Sequence, residues 1–339
     1  MSERRLDLGV VIVSWNVREL LAQCLASVFS EVERAGVSAG VWVVDNASQD
    51  GSPDAVRQRF PLARLIANAD NRGFAAANNQ ALRAMGFATE MAEARADARP
   101  TSIIAPAYVL LLNPDTTLES GALETWLQTA AAHPAAGVIG PALRYPDGQF
   151  QHSAFAFPTL WQIFFDFFPL HHRLLQSRLN GRYPRAWYFA GRPFPIDHPL
   201  GAAMLVRQEA ILAAGALDEG FFIYAEEIDW CMRLRAAGWS ALCAPAIGVI
   251  HHEAQSTRQF RERMFVALWK SRLRLFAKHY SPAFNWAARR LIRLGLAQLR
   301  RQADAQRAAG ALSDDAWERR RAALAEVAAM TRRPAQDFL

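Results

Sequence analysis

Cysteine is scarce and scattered. The 339 residues hold three, Cys24, Cys231 and Cys243, an odd number with no metal-ligand spacing. Reduced core thiols in the cytoplasm are the expectation, and a disulfide framework is excluded. Long apolar runs are missing too. The richest stretch, Ala154 to Leu170, is interrupted by Pro158, Gln162, Asp166 and Pro169, so nothing approaches the roughly 18 apolar residues of a membrane span. No signal peptide is read at the start, because the apolar stretch after Arg4 and Arg5 is broken by Ser14 and Asn16. Internal repeats are also lacking.

What is present suits a large core. The chain is 52% apolar and 21% charged, long enough for one large domain or two ordinary ones. Its charge is uneven. Residues 256–339 carry 18 Lys+Arg against 7 Asp+Glu, leaving 20 against 25 in the rest. A basic tail on a mildly acidic body suggests an anionic partner: a phospholipid surface, a lipid diphosphate or nucleic acid. The nucleic-acid reading is the weakest, since the tail lacks interleaved aromatics and any recognition motif.

The first half alternates strand and helix signals. Leu8 to Val13 is continuously apolar, as expected of a strand covered on both faces. Asn16 is the expected N-cap of the following helix, with Glu19 completing the box. Val41–Val44 is a second strand, and Ser52-Pro53 reads as the start of a second helix. Leu62–Ile66, a helix from Phe74 to Met85, and the strand Tyr108–Leu112 continue the pattern. This is an α/β chain with a parallel sheet. Such sheets bind ligands at the carboxyl ends of their strands, where Ser14, Asn16, Asp45, Asn46, Asn113 and Asp115 gather. Residues 86–107 read as an exposed helical extension and loop without chemistry. A helix near 121–132, a strand at 137–140, a turn at Pro146-Asp147-Gly148, a strand at 202–206, helices at 208–214 and 226–237, and a last strand at 247–250 follow. Beyond Thr257 the pattern is helical and basic.

Three constellations carry chemistry. In Asn113-Pro114-Asp115 the proline keeps the preceding residue extended, so the Asp115 carboxylate lies at the sheet edge. It could bind Mg²⁺ or Mn²⁺, which use few protein ligands, or cap a helix. His251 ends an apolar strand and could ligate a divalent ion or be an ordinary satisfied histidine. Glu226, Glu227 and Asp229 sit among Phe221, Phe222, Tyr224 and Trp230. Asp229 has Arg233 at i+4 and reads as a structural ion pair. The two glutamates are a candidate general base or an acidic first helical turn.

These residues resemble family 2 glycosyltransferases with the GT-A fold, in particular bacterial rhamnosyltransferase-like enzymes. The matching stretches are VVIVSWN at 10–16, VVDNASQDGS at 43–52, NRGFAAANNQAL at 71–82, VLLLNPDT at 109–116, GAAMLVR at 201–207, LDEGFFIYAEEIDWCMRLRAAGW at 217–239 and VIHHEAQST at 249–257. All seven stand in the family's order. The resemblance implies a Rossmann-like, mostly parallel sheet flanked by helices over residues 1–257. A helical basic region, 258–339, would serve membrane association or self-association into a homodimer. It implies a nucleotide-sugar site of Ser14, Asn16, Asp45, Asn46, Asn71, Arg72, Gly73, Asn113, Asp115 and Gly201. Asp115 and His251 would be ligands for Mg²⁺ or Mn²⁺, with Asn113 in place of the first acid of the family's Asp-X-Asp element. Glu227 stands where the family usually has the aspartate base of a Glu-Asp pair. Being one methylene longer, it leaves Glu226 and Asp229 as further candidates.

The implied reaction is an inverting displacement. The expected donor is dTDP-rhamnose, and the acceptor a saccharide or polyprenyl-diphosphate-linked sugar in cell-surface polysaccharide synthesis. The aromatic segment Phe155 to Pro169 would face such an acceptor or pack in a core. The enzyme would sit on the cytoplasmic face of the inner membrane. The rival implied reading is a GT-A scaffold that binds a nucleotide sugar or lipid without turnover.

Overall fold

A computed structural model of the protein describes residues 6–87, 105–252 and 261–339. Most of the stretch read as an extension, and the end of the last motif, lie outside these residues. In chain order the first elements are β1 (Leu8–Ser14), α1 (Arg18–Ala35), β2 (Ala39–Asp45), α2 (Ser52–Arg59), β3 (Arg64–Ala67), α3 (Phe74–Ala84), β4 (Tyr108–Leu112), β5 (Thr116–Leu118), α4 (Ala122–Ala132), β6 (Ala136–Arg144), β7 (Phe150–Gln151) and β8 (Ala154–Phe155). There follow α5 (Leu160–Phe167), α6 (His172–Leu175), α7 (Arg185–Phe189), β9 (Phe194–Ile196), β10 (His198–Pro199), β11 (Ala203–Arg207), α8 (Gln208–Ala214), α9 (Glu226–Ala236), β12 (Ser240–His251), α10 (Arg261–His279), α11 (Pro282–Ala308) and α12 (Asp314–Met330).

The described residues fall into two compact units. The first draws on Met1–Phe155, Arg185–Glu219 and Glu226–Ser256. The second draws on Ala156–Pro184, Gly220–Ala225 and Thr257–Leu339. The helical tail is thus joined by two pieces from within residues 1–257.

The first unit is built on a sheet ordered β3-β2-β1-β4-β11-β6-β12-β5, with β7 and β9 on its flanks. β3, β2, β1 and β4 pair in parallel, as do β6 and β12. β11 is antiparallel to both of its neighbours, and β5 to β12. The alternation of side chains explains the unbroken apolar strands. Leu8, Val10 and Ile12 join a core with Leu21, Leu25, Val56 and Trp126 of α1, α2 and α4. Val11 and Val13 point to the opposite face and are buried as well.

The second unit is helical. Phe167 of α5 stacks on Trp269 of α10, with ring centroids 4.9 Å apart. It also lies so close to Gly295 of α11 that a Cβ there would collide with the ring. Ile163, Phe165 and Phe167 are buried, whereas Trp161 is 57% exposed, so the aromatic segment has a core face and an outer face. Among the described residues no helix is long and apolar enough to cross a membrane.

Two local expectations are corrected. Asn16 does not cap α1; Val17 occupies that position without a side-chain cap. Asn16 instead has φ 54°, and its side chain accepts from Gln49 N at 2.7 Å. The exposed N–H of Arg18 is met from another loop, by Asp50 Oδ2 at 2.8 Å. β12 is also far longer than the expected 247–250. Its ladder with β6 shifts register between Ala244 and Gly248, so the bulge accommodates Pro245.

Candidate active site

The carboxyl ends of β1 and β2 form one wall. Ser14 lies opposite Asp45 in the parallel register, and both are buried. Asp45 Oδ2 accepts from Ser48 N at 2.8 Å. Asp45 Oδ1 and Ser14 Oγ are buried and have no protein partner. A buried carboxylate oxygen or hydroxyl left unmet is costly unless a ligand or water meets it.

Asn46 links this wall to the next loop. Its Nδ2 donates to Gly73 O at 3.2 Å, and its Oδ1 accepts from Asn68 Nδ2 at 3.0 Å. Asn71 Oδ1 accepts from Gly73 N at 3.0 Å, while Arg72 is exposed beside it. Asn16 N donates to Ser48 Oγ at 2.9 Å. The loops after β1, β2 and β3 are therefore tied together, as their shared position at the sheet edge anticipated. Asp50 completes the tie. Burial alone would raise its carboxyl pKa, but hydrogen bonds from Ser52 and from the Arg18 and Ser52 N–H groups hold it below the ordinary value.

The second wall follows β4. Asn113 N donates to Ala202 O at 2.8 Å. Asn113 O accepts from Thr116 Oγ1 at 2.7 Å, which closes the turn through Pro114. β5 then runs antiparallel to β12, with Thr116 opposite His251. That register brings Asp115 and His251 together: Oδ1 and Nε2 are 3.4 Å apart, and both side chains are nearly buried. His251 Nδ1 lies 3.2 Å from Gln151 Oε1. A proton on Nδ1 donated to Gln151 leaves the Nε2 lone pair facing Asp115.

This pair fits a small divalent cation. Adjacent ligands of an octahedral ion, each about 2.1 Å from it, lie about 3 Å apart. The observed 3.4 Å needs only a slight adjustment. No group of three or more His, Cys, Asp or Glu side chains is arranged for a metal among the described residues. Two protein ligands, completed by water and phosphate oxygens, match the habit of Mg²⁺ and Mn²⁺ rather than that of a structural zinc.

The acids of α9 have three distinct environments. Asp229 is fully buried, and its Oδ2 accepts from Arg233 Nε at 2.8 Å. Arg233 also donates to Ala216 O at 2.7 Å, and Trp230 Nε1 donates to Gly215 O at 2.7 Å. Asp229 thus belongs to a brace on the segment after α8, as its i+4 spacing suggested. Glu226 is 5% exposed, and its Oε2 has no partner. Burial, and then the neighbouring charge of Glu227, push its pKa well above 4.5.

Glu227 is half-buried and lies over Gly201, where a Cβ would sit 3.5 Å from its Cγ. Gly201 adjoins Ala202, whose carbonyl holds Asn113. Glu227 and the Asp115 turn therefore abut the same short stretch of backbone. Leading into α9, Tyr224 and Ala225 have φ of 69° and 65°. Two successive left-handed residues without glycine cost on the order of 1–2 kcal/mol each. Such strain persists only where the surroundings enforce it.

Sequence reasoning missed Gln151 and Asp50. Gln151 reaches His251 from a two-residue strand that carries no pattern of its own. Asp50 was within a quoted motif, and its spacing two residues before Ser52 was a readable turn signal.

Residues 9–187 match the description glycosyl transferase family 2. The N-acetylglucosaminyl-diphospho-decaprenol L-rhamnosyltransferase of Mycobacterium tuberculosis is 31% identical over 299 residues, which span 86% of this chain and 90% of that protein. The chain belongs to glycosyl transferase family 2. Rhamnosyltransferase WbbL of Escherichia coli is 35% identical over 83 residues, 24% of this chain and 31% of that one. Among solved structures, the mannosyltransferase PcManGT of Pyrobaculum calidifontis, in complex with GDP-Man and Mn²⁺, aligns with a TM-score of 0.55 at 18% identity, covering 97% of this chain and 88% of that one. That likeness identifies the fold as GT-A, with a helical C-terminal region.

Proposed function

We propose that the protein transfers rhamnose, with inversion, from dTDP-rhamnose to a hydroxyl of a polyprenyl-diphosphate-linked saccharide in cell-surface polysaccharide synthesis. The observation that carries the reading is the 3.4 Å approach of Asp115 to His251 beside the Gly201–Ala202 backbone over which Glu227 lies. The sugar and acceptor class are those in the name of the Mycobacterium relative, which matches this chain over most of its length.

The roles divide as follows. Ser14 and Asp45 offer a hydroxyl and a carboxylate oxygen to the nucleotide, with Asn16, Asn46, Asn71, Arg72, Gly73 and Asn113 shaping the loops around it. Asp115 and His251 hold Mg²⁺ or Mn²⁺, which when bound offsets the charge developing on the departing diphosphate. Glu227 takes the proton of the acceptor hydroxyl. That oxygen attacks the anomeric carbon, and the bond to the diphosphate breaks, its electron pair leaving with the nucleotide. Glu226, buried and with its pKa pushed up by burial and by the charge of Glu227, is set aside as the base, and Asp229 is occupied by Arg233.

We also place the protein on the cytoplasmic face of the inner membrane. The exposed Trp161 and Leu170 and the basic Arg173 and Arg178 of the second unit support a surface contact. Self-association of the tail into a homodimer is a separate proposal, read by light scattering.

The test is a donor panel. dTDP-, UDP- and GDP-sugars are compared by thermal shift and turnover, each with and without Mn²⁺. Turnover of dTDP-rhamnose that depends on metal is expected. Glu227→Gln should lower kcat by about 10²–10⁴ while leaving donor affinity nearly unchanged. Full activity in that variant would remove Glu227 from the role. Normal donor binding without turnover in the unaltered protein would instead favour the non-catalytic scaffold.

A further inference from the structure

Gln151 approaches His251 from two strands away. β7 pairs antiparallel with β6, which sets Gln151 opposite Leu143. β6 pairs in parallel with β12, which sets Leu143 opposite Val249. Partners in register share a face of the sheet, and so do residues two apart on one strand. His251, two beyond Val249, therefore shares the face of Gln151. The long glutamine side chain covers the remaining offset, and its Oε1 lies 3.2 Å from His251 Nδ1. The segment that carries it is anchored. Ser153 Oγ donates to Pro141 O at 2.7 Å, and Ser153 O accepts from Leu200 N at 2.8 Å. All of these residues belong to the first unit.

A neutral imidazole carries one proton and has one lone pair to offer. Here each ring nitrogen faces an oxygen: Nδ1 faces Gln151, and Nε2 faces Asp115 at 3.4 Å. With the proton on Nε2, the ring would donate to Asp115, and the two metal donors would be engaged with one another. With the proton on Nδ1 and donated to Gln151, Nε2 and the Asp115 carboxylate are open to the same cation. Gln151, His251 and Asp115 are all buried. Removing the glutamine oxygen would leave an Nδ1 proton without its acceptor, at the full cost of an unmet buried donor.

We propose that Gln151 is a positioning residue for the metal site: by accepting the Nδ1 proton it holds the His251 ring with Nε2 free for Mg²⁺ or Mn²⁺ beside Asp115. This rests on the reading of Asp115 and His251 as the metal ligands. A glutamine that only filled the core would contribute to stability and leave the affinity for the cation alone.

The experiment uses the full chain and its variants Gln151→Leu, Gln151→Met, Gln151→Glu and His251→Ala, each shown by circular dichroism to be folded at the assay temperature. Mn²⁺ is titrated by electron paramagnetic resonance, alone and with dTDP. Gln151→Leu and Gln151→Met keep the bulk and remove the acceptor, and should bind Mn²⁺ about 10- to 100-fold more weakly. Gln151→Glu keeps an oxygen at the same reach and should bind it at least as tightly as wild type. Its added charge also attracts a cation, so a second readout accompanies the titration. With Mg²⁺ and dTDP bound, nuclear magnetic resonance should show a slowly exchanging His251 Nδ1–H in the wild type and in Gln151→Glu, and none in Gln151→Leu. The resonance is assigned by its loss in His251→Ala.

The proposal is overturned if folded Gln151→Leu and Gln151→Met bind Mn²⁺ within about twofold of wild type while His251→Ala binds it poorly. It is equally overturned if Gln151→Glu binds no better than Gln151→Leu, or recovers affinity without the Nδ1–H resonance. Unchanged Mn²⁺ binding in His251→Ala would instead defeat the metal-ligand reading, which separates the two failures.

Discussion

Adjacent glutamates at the start of α9 differ in how much water they meet, and that difference sets their chemistry. Glu226 is buried with an unmet oxygen, and burial together with Glu227 raises its pKa. A carboxyl whose folded pKa lies above its unfolded value binds more protons in the native state over that interval. Stability is therefore lost as pH rises from about 4.5 toward the raised value. Glu226→Gln, which is neutral at every pH, should have a higher urea midpoint than wild type at pH 8, with the gap closing below the ordinary glutamate range. An equal pH dependence in both proteins would refute a raised Glu226 pKa. Cys24 obeys the same logic: burial pushes its thiol up to about 12. It should resist alkylation in the native protein at pH 8 and react on unfolding, as mass spectrometry would show.

Among the elements, the loops are held by residues that belong to other elements. Asp50, in the loop before α2, accepts from the first N–H of α1 and from Ser52 N and Oγ. Asp50→Ala should cost about 1 kcal/mol in denaturant unfolding, the ordinary worth of a helix cap. Glu31 does the same for α4, accepting from Gly121 N and Leu123 N, each at 3.1 Å. Being buried and shared by two donors, its loss in Glu31→Ala should cost more, about 1–3 kcal/mol.

These contacts mark the limit of what local pattern could reveal. β4 is legible because Tyr108–Leu112 is apolar throughout and bounded by Asn-Pro. β5 is not, because Thr116–Leu118 is too short to have a period and exists only through its ladder with β12. Asn16 looked like a cap from its neighbours alone. Asp50, 34 places on, had already supplied that bond.

Across the whole molecule, positive charge is gathered in the C-terminal tail. The second unit combines the basic tail with the exposed Trp161 and Leu170. Co-sedimentation with vesicles rich in anionic phospholipid should be strong at low salt and weaken as ionic strength rises, because screening shortens the reach of surface charge. Trp161→Ala should weaken binding further at every salt concentration. Equal binding to neutral and anionic vesicles would rule out the electrostatic part of the proposed surface contact.

By itself the sequence determined the alternating architecture and the polar loops at the strand ends. Both follow from local rules: which residues can be covered on two faces, and which can turn the chain. The seven motif stretches also placed the chain in its family. Only the tertiary structure decided that Gln151 lies against the His251 ring, that Glu226 rather than Glu227 is deprived of water, and that Glu31 and Asp50 meet the first N–H groups of helices far from them in the chain. Each of these depends on atoms brought together across many intervening residues. Their separation in the chain carries no trace of their distance in space.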